Sequence, residues 1–143
     1  MEKLIDYAMQ FVGKPYIWGG DDPILGFDCS GLVQELLASV GEDPPGDQNA
    51  DTLFRYFKKH GRDWNGEMTP EAGCLAFYGT ASKIGHVVMC IDNYRMIEAG
   101  GGGSAVTNAS LAAARNAYIR IRPINSRSDL VSVLRPNYIV FED

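Results

Sequence analysis

Cys29 stands in a context that suits a nucleophile. It follows Asp28 and precedes a run of apolar residues at helical spacing. These residues are Leu32, Val33, Leu36, Leu37 and Val40. Because Asp28 is a good N-cap residue, Cys29 is predicted in the first turn of a helix. There the helix dipole and the unpaired amide N–H groups favour the reactive thiolate, and the small neighbours Ser30 and Gly31 leave room for a substrate.

Two further residues could complete a catalytic group with Cys29. His86 opens a run of β-forming residues, so its imidazole is predicted at the start of a strand. Glu98 ends the next such run. Antiparallel pairing about a turn centred near Asp92 would place Glu98 about opposite His86, on the same face. A cysteine nucleophile needs an adjacent imidazole, and the imidazole needs a third group to orient it.

Other interpretations of the same residues stay open. Cys29 could be an inert core cysteine, His86 could be a strand-edge histidine with no role, and Glu98 could be an exposed strand carboxylate. Cys29, His86 and Cys90 could bind a metal, but the sequence has no paired ligand motif such as C-x-x-C. The glycines at 100–103 could hold a phosphate, but no Lys with Ser or Thr follows at P-loop spacing, so a loop is favoured.

Three ring-bearing side chains near these segments are also assigned from local context. Tyr16 and Trp18 lie in a turn-rich segment, 13–27, and both could be core residues. Alternatively, Tyr16 could project toward Cys29. His60 follows two lysines and precedes a glycine, which predicts a solvated residue at the end of a helix.

The elements that must position these residues change type along the chain. A helix is predicted over the first dozen residues, with a buried stripe and a stop at Gly13; the stripe is Leu4, Ile5, Ala8 and Val12. Another helix is predicted from Ala50 to His60. Strands are then predicted at Cys74–Tyr78, Val87–Ile91, Arg95–Glu98, Tyr118–Ile121 and Tyr138–Phe141. Helices followed by strands predict one α+β domain over residues 1–143, with helices packed on an antiparallel sheet.

Composition excludes several classes of function. The net charge of −5 argues against a nucleic-acid partner, which usually binds a basic surface. The sequence contains no long apolar run that could span a membrane, and the amino-terminal segment predicts an amphipathic helix rather than a signal peptide. The three cysteines cannot all pair, so reduced thiols are expected.

Several segments together resemble the NlpC/p60 family of bacterial cell-wall cysteine peptidases. They read GKPYIWGG at 13–20, FDCSGLV at 27–33 and GHV at 85–87, with Glu98 twelve residues after His86. The order and spacing match over roughly residues 1 to 100. The resemblance implies a papain-like fold in permuted form. It also implies hydrolysis of peptidoglycan stem peptides, most often between D-γ-glutamate and the diamino acid, with no cofactor and no metal.

The resemblance also assigns roles to individual residues. Cys29 matches the nucleophile, His86 the base and Glu98 the third polar residue, while Tyr16 matches a tyrosine that helps hold the oxyanion. Positions expected to contact the substrate are Asp28, Ser30, Asp47 and Gln48. The chain departs from the family pattern at Glu98, where His, Asn or Gln is usual, and at Cys74 and Cys90, which are expected to be reduced core residues.

The expected function is therefore a cysteine endopeptidase acting through an acyl-enzyme on Cys29. A non-hydrolytic peptidoglycan-binding module is the alternative from another class, and an amidase or transpeptidase could use the same residues. Because no signal peptide is predicted, the enzyme is expected to be made in the cytoplasm. It would then act on the cell wall if encoded by a bacteriophage, or on imported wall peptides if it serves recycling.

Overall fold

The computed structural model describes residues 1–64 and 69–139, which form helices packed on one face of an antiparallel sheet. The helices are α1 (Glu2–Met9), α2 (Cys29–Ala38), α3 (Ala50–His60) and α4 (Ala109–Arg115). The strands are β1 (Asp21–Asp22), β2 (Gly26–Phe27), β3 (Arg62–Trp64), β4 (Leu75–Thr80), β5 (Lys83–Cys90), β6 (Arg95–Ala99), β7 (Ile119–Pro123) and β8 (Leu130–Arg135). This arrangement confirms the predicted α+β fold.

The helices begin where the sequence supplies caps. Asp28 caps α2, and Asn49 and Thr52 form a reciprocal capping box at the start of α3, whose bounds match the prediction. The first helix is shorter than predicted, because it ends at Met9 and the chain then turns. Val12 is 42% exposed, so its assignment to the buried stripe was wrong.

The main sheet has six strands in the order β3-β8-β4-β5-β6-β7, and every neighbouring pair is antiparallel. Four predicted strands are found as β4 to β7, whereas β3 and β8 were not predicted. Neither Tyr138 nor Ile139 belongs to a strand, so the prediction there was wrong; the rest of that predicted strand lies outside the described residues.

The sheet buries apolar side chains on both faces. On one face, α2 and α3 pack against β5 and enclose the larger core. On the other, a smaller cluster contains Tyr78, whose hydroxyl donates to the Ile124 carbonyl oxygen at 2.7 Å. Cys74 and Cys90 belong to this cluster as free, buried thiols, as predicted. None of the helices described is long and apolar enough to cross a membrane.

Candidate active site

Cys29 is the first residue of α2, as the sequence predicted. The Asp28 carboxylate accepts a hydrogen bond from the Gly31 amide at 2.7 Å, which closes the N-cap and fixes the first turn. The preceding loop lies directly on this turn, since a Cβ at Gly31 would be 2.0 Å from the Gly20 carbonyl oxygen. Cys29 is therefore a partly exposed thiol in the first turn of a helix, where the first backbone N–H groups have no partner within the helix.

His86 lies beside Cys29 and is held from its other side by Glu98. The imidazole Nε2 and the Glu98 Oε2 are 2.8 Å apart, and the Cys29 thiol lines the same cavity next to the imidazole and acts on its pKa. Since Nε2 faces Glu98, Nδ1 is the nitrogen left for the thiol. His86 is 8% exposed and Glu98 is 2% exposed, so water hardly screens the interaction between them.

The predicted strand register was wrong by two residues. The ladder pairs Met89 with Ile97 and Cys90 with Met96, so Glu98 is a diagonal neighbour of His86 instead of its direct partner. The turn is centred one residue later than expected, because the Asp92 carboxylate accepts hydrogen bonds from the two amides that close it. A shift of two residues keeps both side chains on one face, so the predicted contact forms.

The charges of the site favour an imidazolium. Burial by itself lowers the pKa of His86, but hydrogen bonds to Cys29 and Glu98 and the negative charges of both outweigh it and raise this pKa to about 9. Burial also acts to raise the pKa of Glu98. The contacts with His86 and Arg122 overcome that effect, and the pKa of this carboxyl lies below its usual value. The site is therefore built to hold Glu98 ionised and His86 protonated around neutral pH.

Tyr16 lies at the edge of the same site, under the glycine segment at 100–103. Burial, followed by the negative charges of Cys29 and Asp28, raises the pKa of its phenol to about 12. Its hydroxyl thus stays protonated as a potential donor. A Cβ at Gly102 would lie 2.2 Å from the Tyr16 ring, so only glycine lets the segment pass this close.

An open cavity of about 510 Å³ contains these groups. Its lining includes Cys29, His86, Glu98 and Tyr16, together with Asp28 and Ser30 from the expected substrate-binding set. Burial raises the pKa of Asp28, although three hydrogen bonds oppose this. The remaining expected contacts, Asp47 and Gln48, are not part of the lining: the Gln48 side chain turns back to the Pro45 carbonyl.

A model of the NlpC/P60 family matches residues 13–123, a range that includes Tyr16, Cys29, His86 and Glu98. The chain belongs to the NlpC/P60 family. Within residues 1–64 and 69–139, this NlpC/P60 domain has no group of three or more His, Cys, Asp or Glu side chains that could hold a metal ion.

Relatives of this NlpC/P60 chain include wall-acting enzymes. The bifunctional muramidase/DL-endopeptidase CwlT of Bacillus subtilis is 35% identical over a 105-residue alignment that covers 71% of this chain and 30% of that protein. The peptidoglycan endopeptidase RipB of Mycobacterium tuberculosis is 34% identical over 124 residues, covering 75% of this chain and 46% of its own length. The chain thus spans less than half of each of these two relatives.

Solved NlpC/P60 structures share the fold. A family member from Bacillus cereus superimposes with a TM-score of 0.71 at 24% identity, covering 96% of this chain and 39% of that one. The NlpC/p60 domain of the peptidoglycan hydrolase SagA gives 0.64 at 21% identity, covering 92% and 94%. The predicted papain-like fold is confirmed.

Sequence reasoning missed the cations of this NlpC/P60 site. Arg122 donates to Glu98 at 2.9 Å, and Arg127 and Lys83 also line the cavity. Isoleucine and arginine alternate at residues 119–122, so in a strand the two arginines point to the same face. This alternation was the only local sequence pattern that could have pointed to Arg122.

Proposed function

We propose that this chain is the catalytic domain of a cysteine endopeptidase that hydrolyses peptidoglycan stem peptides. The bond proposed is the one between D-γ-glutamate and the diamino acid. The observation that carries the proposal is the buried contact of His86 with Glu98 in an open cavity that the partly exposed Cys29 thiol also lines. A binding module would have no need for a buried carboxylate that raises the pKa of a histidine next to a thiol.

The first half of the reaction transfers the acyl group to the enzyme. The Cys29 thiolate attacks the carbonyl carbon, and the resulting oxyanion lies near the Cys29 amide and the Tyr16 hydroxyl. When the intermediate collapses, the C–N bond breaks and the His86 imidazolium gives its proton to the leaving amine. The product of this half is a thioester on Cys29 with a neutral imidazole beside it.

The second half releases the acyl group to water. Neutral His86 takes a proton from a water molecule as the oxygen attacks the thioester carbonyl. Collapse of this second intermediate breaks the C–S bond and returns Cys29 as a thiolate with His86 as an imidazolium. Glu98 stays ionised throughout, since it orients and stabilises the imidazolium without taking its proton.

The relatives support the choice of substrate. CwlT is named a DL-endopeptidase and RipB a peptidoglycan endopeptidase. A stem peptide carries free amino and carboxylate groups. The cavity offers both charges, with the carboxylate of Asp28 and the cations of Lys83 and Arg127. The negative net charge of the chain as a whole is therefore no obstacle to binding.

Product identification tests this proposal. Soluble muropeptides with complete stems are incubated with the protein, and the fragments are identified by mass spectrometry. The expected result is a pair of fragments separated at the D-γ-glutamyl bond, formed by the wild type and not by Cys29→Ala. Fragments from a different bond would correct the specificity. Binding without cleavage would instead identify a binding module, and an amine adduct at the new end would identify a transferase.

A further inference from the structure

The hydrogen bonds of the site continue beyond Glu98 to the edge of the sheet. His86, Glu98 and Arg122 come from the adjacent strands β5, β6 and β7. The Arg122 Nη1 donates to Glu98 Oε1 at 2.9 Å, while Oε2 is 2.8 Å from the His86 Nε2. Each oxygen of the buried carboxylate therefore has one fixed partner.

The two ends of this chain of contacts differ in exposure. Glu98 is almost fully buried, whereas the Arg122 side chain is 40% exposed and belongs to an edge strand. A carboxylate held by His86 alone could rotate about its side-chain bonds and move the imidazole with it. A second hydrogen bond removes that freedom, and partners of this kind are what hold a reacting group within a few tenths of an ångström.

We propose that Arg122 is a positioning residue that acts on His86 through Glu98. Its hydrogen bond fixes the carboxylate, and the carboxylate turns the imidazole toward Cys29. The role in hydrolysis rests on the proposed function, while the link from Arg122 to the charge of His86 does not.

Other charged or titratable groups face this chain of contacts from the neighbouring elements. The Cys29 thiol comes from α2, and the Tyr78 ring from β4 lies 5.9 Å from the imidazole ring. Arg127 lies over the same tyrosine at 5.2 Å, but both of its guanidinium contacts go to Asp129. The charge of Arg127 still acts on Glu98 from a distance. Arg120 is opposite Glu98 in the strand ladder but donates to the Tyr118 and Asn116 carbonyls, so Arg122 is the cation that hydrogen-bonds Glu98.

The first test measures the charge of His86 directly and needs no substrate. The chain has two histidines, so the ring-proton NMR signals can be assigned with His60→Gln and followed against pH. Removing the Arg122 cation stabilises the imidazolium, so Arg122→Gln should raise the apparent midpoint of His86 by roughly half a unit to one unit. Arg122→Lys should leave it close to the wild type, because one N–H and the charge remain. Arg95→Gln is the control, since it removes a cation that pairs with Asp92.

The second test separates positioning from substrate binding. With muropeptide as substrate, Arg122→Gln should lower kcat about tenfold with little change in KM, and Arg122→Lys should recover most of the loss. If Arg122→Gln does not fold, Arg122→Met keeps the aliphatic stem and gives the same comparison. A His86 midpoint that does not move would overturn the link from Arg122 to His86, and a rise in KM at constant kcat would overturn the positioning role. A shifted midpoint in a protein that cleaves no muropeptide would sink the proposed function and leave the link to His86 intact.

Discussion

Replacing Glu98 with glutamine should move the alkaline limit of activity to lower pH. Glu98→Gln keeps the size and the hydrogen bond to His86 but removes the negative charge beside the imidazole. The active form needs the His86 imidazolium to protonate the leaving amine. The alkaline limb of the pH–rate profile therefore follows deprotonation of this imidazolium, as the pH rises through the His86 pKa of about 9. Without the carboxylate charge, the imidazolium loses its proton at lower pH.

The size of this shift follows from the geometry. The contact is 2.8 Å long and both side chains are buried, so the charges are about 4 Å apart and poorly screened. At an effective dielectric constant near 20, the attraction is about 4 kcal/mol. Arg122 opposes part of it, and the charge on Cys29 remains in the variant. An observed shift of roughly one to two pH units is therefore expected, at about 1.4 kcal/mol per unit.

The assay is the initial rate of muropeptide cleavage measured across the neutral and alkaline range. The wild type should lose activity around pH 9, and Glu98→Gln should lose it at lower pH while keeping measurable activity at its optimum. Glu71→Gln is the matched control, since it removes a mostly exposed carboxylate that is 3.8 Å from Arg135. An alkaline limb that stays in place in Glu98→Gln would show that Glu98 does not set the charge of His86.

Three further predictions test other parts of the site. Iodoacetamide at mildly acidic pH should label Cys29 first, because Cys90 is buried and its burial raises the pKa of that thiol; earlier labelling of Cys90 would contradict the thiolate assignment. Tyr16→Phe should lower kcat by about ten- to a thousandfold with little change in KM, and an unchanged kcat would reduce Tyr16 to a packing residue. Gly102→Ala should lower kcat more than Gly103→Ala, whose added Cβ meets no atom within 4 Å; equal effects would show that the contact with the Tyr16 ring is not used.

Local sequence patterns predicted the position of Cys29 better than the positions of the other residues of the site. Asp28 and the helical spacing after Cys29 act within a few residues of each other, so the sequence alone located the start of α2. The contact of His86 with Glu98 was predicted from a hairpin between two strands, and the turn of this hairpin is centred one residue later than predicted. The strand register is therefore shifted by two residues, which keeps both side chains on the same face and preserves the contact.

Contacts that depend on the order of strands in the sheet could not be predicted from local sequence patterns. Strand β8 lies between β3 and β4 although it comes last in the chain, and no local pattern states this order. The contact of Arg122 with Glu98 requires β7 to lie beside β6, so it was also missed. The family resemblance predicted that Gln48 contacts the substrate, but its side chain donates to the Pro45 carbonyl in the loop before α3.

Single-cysteine variants show whether Cys29 carries out the reaction. Muropeptide turnover is measured for the wild type, for Cys29→Ala and for Cys90→Ala, with circular dichroism to confirm that each is folded. Cys29→Ala should lose at least about a thousandfold in turnover, and folded Cys90→Ala should stay near the wild type. Turnover by Cys29→Ala within tenfold of the wild type would show that Cys29 is not the nucleophile.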